Sequence, residues 1–208
     1  RSQVKSDHLV EIYGEVRHPD GRLGIQMPWL EGMDLWKGLW RFGPIPPRDA
    51  VTLAVDLLGG VREMHRSGFL HLDLKPRNAM VVGCPRLRRP RAKLLDFGLS
   101  RPTHHFSIKD YDGWGTSGYR APEADSSLTV HNRSFLEGKG LPVLPDPAET
   151  ADIFSMGATL FKMLTNRELF PGFFRAGRWG GVEEMVEAFH SPAPPLAEVM
   201  TRIDNALT

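Results

Sequence analysis

The feature that most constrains this 208-residue chain is a pair of polar clusters, HLDLKPRN at His71–Asn78 and LDFG at Leu95–Gly98, tied to two short apolar runs. The runs are the MVV of Met80–Val82 and the KLL of Lys93–Leu95, too short for helices and read here as two strands. Those strands hold Asn78 and Asp96 at their ends, so one small strand pair positions both side chains. Upstream, the stretch from about Arg48 to Arg66 reads as a helix, with Pro47 before it and Gly68 just after it. Val51, Ala54, Val55, Leu58, Val61 and Met64 recur at helical spacing and predict its buried stripe, despite the weakening Gly59–Gly60 pair. A second helix is predicted from about Thr150 to Leu164, with Ile153, Met156, Leu160 and Leu164 on its apolar face, and a third over roughly Val182–Phe189. The Ser-, Gly- and Pro-rich segment between Ala124 and Glu149 reads as a long loop.

The residue types at these strand ends suit phosphoryl transfer to a hydroxyl. Such a step needs a carboxylate to orient the hydroxyl and take its proton, which Asp73 can supply. It also needs oxygen ligands for Mg²⁺ on the nucleotide phosphates, which Asn78 and Asp96 can supply. Lys75 can bring positive charge to the migrating group. A lone Asp is ordinarily a solvated or turn residue, so the weight lies in the spacing of the set.

With GTSGYRAPE at 115–123 and DIFSMG at Asp152–Gly157 following in order, the chain resembles the protein kinase family. The resemblance implies an α+β, protein kinase-like fold, mainly a helical C-lobe with the last strands of the N-lobe. It implies ATP and Mg²⁺ as cofactors and a protein substrate phosphorylated on serine or threonine, the Lys75–Pro76 pair having the serine/threonine form. Thr116 resembles the activation-segment threonine that bonds the catalytic Asp and Lys, Asp152 the aspartate that braces the catalytic loop, and Glu123 the glutamate of the APE motif. His71 reads as a core histidine packed against Phe97.

The same resemblance makes His8–Val16 the fourth strand of the small lobe, and Leu23–Leu35 the fifth strand, hinge and start of the next helix. Met27 then guards the back of the adenine pocket, Pro28, Trp29 and Leu30 form the hinge, Met80 lines the pocket and Asp34 approaches the ribose. No glycine-rich loop or paired strand lysine precedes these residues. The expected division is a remnant of the N-lobe and hinge at 1–30 and a C-lobe at 31–208, truncated at its C-terminal end. The start at Arg1 and a length below the ~250–300 residues of a whole kinase suggest a fragment, a trimmed domain or a misassembled gene product, with the missing N-lobe expected in the full-length protein. The isolated chain is expected to be inactive and to leave apolar surface uncovered near the hinge.

A formal charge of +1, from 26 basic and 25 acidic residues, gives no reason to expect a nucleic-acid partner. The basic run Arg86–Lys93 reads as a solvated connection between strands, and Trp29, Trp36 and Trp40 as packing residues. The single Cys84 excludes an intrachain disulfide, and no usual zinc spacing is present. The NRS of Asn132–Ser134 reads as a chance glycosylation match. With no apolar run of ~20 residues and no signal peptide, no membrane partner is expected and cytoplasm or nucleus is the default.

Leu72 stands where family members switched by activation-loop phosphorylation carry arginine, and leucine cannot bind a phosphate. A phosphate at Ser107 or nearby is therefore expected to change activity little through this route. The alternative to an enzyme is a non-catalytic, kinase-like (pseudokinase) binding or scaffold module. A small-molecule kinase of related fold is disfavoured by the peptide-platform look of GTSGYRAPE.

Overall fold

The computed structural model describes residues 6–83, 90–103, 115–124, 133–140, 143 and 146–169. The third predicted helix, Cys84, Ser107 and half of the basic run lie outside them. The chain is α+β, with three short strands before the first two helices, four more strands after them and a second long helix beyond those.

β1 (Gly14–Arg17) and β2 (Leu23–Gln26) pair antiparallel, Glu15 facing Ile25 and Arg17 facing Leu23. The anticipated strand from His8 is interrupted: its first residues bond instead to Leu94, through Val10 N–H to Leu94 O and Leu94 N–H to His8 O. β3 (Gly32–Asp34) leads into α1 (Leu35–Phe42). β3 pairs with β5 (Ala79–Val82), which pairs with β6 (Arg91–Leu94), giving one antiparallel sheet in the order β3-β5-β6. Short β4 (Phe69–Leu70) pairs with β7 (Arg101–Pro102).

α2 (Pro47–Arg66) is the central element, packed against β6, β4 and α4 (Glu149–Thr165). Pro47 at the first turn suits a position whose N–H has no helical partner, and Gly68, at φ 79°, turns the chain out at the other end. The buried face differs from the predicted stripe. Ala50, Leu53, Ala54, Leu57, Val61 and Met64 are buried, whereas Val51, Val55 and Leu58 are 55%, 61% and 40% exposed. Both stripes have helical spacing, but the one through Leu53 and Leu57 faces the sheet and α4. Leu35, Leu39, Leu74, Leu94 and Met163 complete this core, each large side chain worth about 1.5–3 kcal/mol on burial.

The Gly59–Gly60 pair has a packing role. A Cβ on Gly60 would stand 2.9 Å from both Leu9 and Leu94, and one on Gly59 would stand 2.8 Å from the His8 ring. The bare helix surface thus admits the 8–10 segment beside β6.

In α4, Met156 and Leu164 are buried as expected, but Ile153 is 52% exposed. The predicted loop before α4 contains a short helix, α3 (Arg133–Gly138).

Candidate active site

The two polar clusters meet at the end of the β5–β6 hairpin. Leu95 N–H donates to Asn78 O at 2.8 Å, and the His71 ring reaches Leu95 O through Nε2 at 3.3 Å. The backbone thereby fixes Asn78 beside the segment carrying Asp96.

Around Asp73, three side chains converge. Lys75 Nζ donates to Asp73 Oδ2 at 2.6 Å and to Thr116 Oγ1 at 2.7 Å. Thr116 Oγ1 donates in turn to Asp73 Oδ1 at 2.9 Å. Asn78 Nδ2 bridges Asp73 O and Oδ2, both at 2.9 Å. Asp73 is buried, so these bonds compensate its lost hydration. A carboxylate has about four lone-pair sites. Oδ1 carries only the Thr116 bond, which leaves it room to accept an incoming hydroxyl.

Asp152, fully buried at the start of α4, holds this loop from beneath. Its Oδ2 accepts from His71 N–H and its Oδ1 from Leu72 N–H, each at 2.8 Å, and His65 Nε2 lies 2.8 Å from Oδ2. The two backbone bonds hold Leu72 at φ 64°, a left-handed conformation that costs a branched residue roughly 1–2 kcal/mol. The Leu72 side chain is buried with Leu70, Ala121, Ala124 and Ala151. Apolar packing therefore ties the loop to the end of the 115–124 segment at the position where an arginine would carry charge.

His71 is wholly buried and meets the Phe97 ring edge-on, 5.8 Å between centroids. Burial pushes its pKa below the ordinary imidazole value, against the pull of Asp152. A neutral ring suits both neighbours: Nε2 donates to Leu95 O while Nδ1 accepts from Asp73 N–H at 3.3 Å.

Asn78 and Asp96 offer an amide oxygen and a carboxylate. Because Asn78 Nδ2 is turned to Asp73, Oδ1 is the atom left for a cation. Asp96 is exposed at φ 60°, with Oδ1 accepting from Gly98 N–H at 3.2 Å. This donor set is all oxygen and fits a hard divalent ion shared with phosphate oxygens. No group of three or more His, Cys, Asp or Glu among the described residues forms a protein-only metal cage.

Met27, Pro28, Trp29 and Leu30 form the connection between β2 and β3. Met27 is 44% and Trp29 91% exposed. Met80 stands opposite Asp34 in the β3–β5 pairing. Asp34 caps α1, accepting from Lys37 N–H at 2.8 Å and pairing with Lys37 Nζ at 3.0 Å. Cavities of about 850 and about 940 Å³ lie elsewhere, one between α1 and the 44–49 turn, the other beside residues 6–12; neither is lined by Met27–Leu30 or Met80. Glu123 Oε1 accepts from Thr150 Oγ1 at 3.2 Å.

Several structural roles were not read from the sequence. Asp56, in the buried face of α2, accepts from Arg91 Nε at 2.9 Å and Ala92 N–H at 3.0 Å, anchoring β6. A charge inside the apolar stripe was its signal, hidden by the misplaced stripe. Lys93 Nζ bonds the carbonyls of Ser6 and Leu9, so Arg91 and Lys93 are structural members of the basic run. The tryptophans also depart from expectation: Trp40 is 83% exposed, like Trp29, while Trp36 stacks under two cations, Arg77 at 4.8 Å and Lys162 at 5.2 Å. Tyr119 is buried nearby, and burial followed by the charge of Glu168 holds its phenol well above the usual pKa, with Arg77 acting in the opposite direction.

A buried aspartate bonded by a lysine, an asparagine and a threonine, with a second aspartate at the end of the adjoining strand pair, sits in a protein kinase-like α+β fold. The chain matches the family described as Protein kinase domain over residues 1–179, and it belongs to that family. It is 31% identical over 166 residues to the serine/threonine-protein kinase PknH of Mycobacterium bovis, covering 78% of this chain and 24% of that protein. It is 32% identical over 151 residues to the serine/threonine-protein kinase cds1 of Schizosaccharomyces pombe, covering 73% and 29%. With human testis-specific serine/threonine-protein kinase 3 it shares 28% over 162 residues, covering 76% and 52%. The chain thus spans about a quarter to a half of the length of these relatives. No helix among the described residues is long and apolar enough to cross a membrane.

Proposed function

We propose that this chain is the large-lobe part of a serine/threonine protein kinase that transfers the terminal phosphoryl group of ATP to a protein hydroxyl. The observation that carries the reading is the bonding of Asp73 to Lys75, Asn78 and Thr116. Residues 1–30 supply the last small-lobe strands and the hinge, and 31–208 the C-lobe.

In this reading Asp73 Oδ1 accepts the substrate hydroxyl's hydrogen bond and takes its proton as that oxygen bonds to phosphorus and the bond from phosphorus to the departing ADP oxygen breaks. Lys75, fixed between Asp73 and Thr116, sets its charge beside the group in transit. Asn78 Oδ1 and Asp96 would hold Mg²⁺, which would supply charge to neutralise the phosphate oxygens. Met27, Pro28, Trp29, Leu30 and Met80 receive the adenine, and Asp34 keeps its second role at the ribose within reach of its capping position. The site works in the cytoplasm or nucleus.

The test is phosphate transfer from Mg·ATP to a serine or threonine peptide by the full-length protein. Asp73→Asn and Asp96→Asn should each lower kcat by about 10²–10⁴-fold. Nucleotide binding without transfer in the wild type, or no effect of either variant, would move the assignment to a kinase-like binding module.

A further inference from the structure

Arg77 lies four residues beyond Asp73, on the turn Pro76–Asn78, and differs from both neighbours: Pro76 and Asn78 are buried, Arg77 is exposed. Two helices set its surroundings. Trp36 of α1 lies beneath its guanidinium at 4.8 Å, and Lys162 of α4 sets Nζ 5.2 Å from the same ring.

The two cations are not equivalent. Lys162 is buried, bonded to Glu168 Oε1 at 2.9 Å and to Asn166 O at 3.0 Å, so its charge is matched. No carboxylate among the described residues lies within ion-pair distance of Arg77. The carboxylate felt at the neighbouring Tyr119 hydroxyl is Glu168, already held by Lys162. Stacking leaves the guanidinium edge, with its N–H donors in one plane, free for an outside anion while reducing the rotamers it samples.

Its turn lies close to the segment that bonds Asp73. Thr116, which bonds Asp73, begins the turn that ends at Tyr119 and Arg120, with Tyr119 N–H and Arg120 N–H both donating to Thr116 O at 3.2 Å. Arg77, exposed on the turn next to Asn78, acts with its charge on Tyr119, three residues beyond Thr116. Four residues of chain reach at most ~14 Å, and an extended peptide advances ~3.3 Å per residue. A side chain within about four positions of the acceptor therefore reaches Arg77.

We propose that Arg77 is a specificity residue that selects acceptor hydroxyls flanked by a negatively charged side chain, a carboxylate or a phosphate. The inference rests on the phosphoryl-transfer reading and names its substrate class.

The experiment uses the full-length protein with Mg·ATP and serine peptides in which glutamate, phosphoserine or lysine is moved through the four positions on either side of the acceptor. At one position or more, glutamate should exceed lysine in kcat/KM by about tenfold, the scale of one charge-assisted contact. A further gain with phosphoserine identifies phosphate as the preferred anion, and equality identifies a carboxylate site. Arg77→Glu should reverse the preference and Arg77→Ala abolish it, the second variant guarding against misfolding of the first. A wild-type preference for lysine, no preference at any position, or a preference unchanged in both variants overturns the proposal. Fluorescence anisotropy with alanine-acceptor peptides separates the two readings: acidic-peptide binding lost in Arg77→Ala, with no transfer to any peptide, supports the anion site and sinks phosphoryl transfer.

Discussion

His71 joins the two motifs of the site only in its neutral form, because Nδ1 must accept from Asp73 N–H. Burial lowers its folded pKa below the unperturbed 6.5. In the unfolded chain the ring binds a proton below about pH 6.5, while the folded chain resists it, so the unfolded state takes up more protons as pH falls. This contribution to stability is present above that pH and is lost progressively on acidification. Urea midpoints should fall between about pH 7 and pH 5.5, and His71→Gln should flatten the slope; equal slopes in the two proteins would remove His71 as the cause. Asp152 acts differently, as the acceptor that holds Leu72 in its left-handed conformation. Asp152→Ala leaves two buried N–H groups without that acceptor and should cost about 3–5 kcal/mol in chemical denaturation. Asp152→Asn, which keeps one acceptor oxygen, should fall between the two. Both residues were legible in the sequence because each belongs to a motif with fixed spacing. Arg77 was not, since its significance comes from Trp36 and Lys162, far away in the chain.

Among the elements, α2 separates what periodicity determines from what it leaves open. Its ends were readable from Pro47 and Gly68, whose backbone chemistry is local. Its buried face was not, because a 3.6-residue repeat through Val51, Val55 and Leu58 is as regular as one through Ala50, Leu53 and Leu57. The second wins because it carries Asp56, which bonds β6, and the glycines that admit the 8–10 segment. Leu57→Ala should therefore cost about 2–5 kcal/mol. Val55→Lys, on the exposed side, should stay within about 0.5 kcal/mol. Urea denaturation of the two variants checks the assignment, and a larger loss for Val55→Lys would restore the sequence-derived stripe. The β5–β6 hairpin, by contrast, was placed to within two residues at either end, since the flanking polar motifs bound it on both sides.

At the scale of the whole molecule, burial is uneven. The core around α2 is closed, whereas the β1–β2 pair exposes Val16, Leu23 and Ile25, with Ile12, Tyr13 and Met27 exposed alongside. A two-stranded pair is marginal in water, and open strand edges with apolar side chains recruit other chains. Amide exchange should be fastest over residues 14–26 and slowest in α2 and α4. Leu23→Lys with Ile25→Thr should lower light scattering of the chain without shifting its melting transition; unchanged scattering would show that association starts elsewhere. The extent of the apolar surface near the hinge depends on which strands pair, and that is a tertiary fact not legible in the sequence. The gap at Gly60 links this exposed end to the active site. An added methyl there favours the isolated helix by roughly 1 kcal/mol, yet drives a wedge between Leu9 and Leu94. Position 60 thus behaves as a clutch: a single carbon atom can disengage the N-terminal segment from the strand that leads to Asp96, leaving every polar group of the site chemically intact.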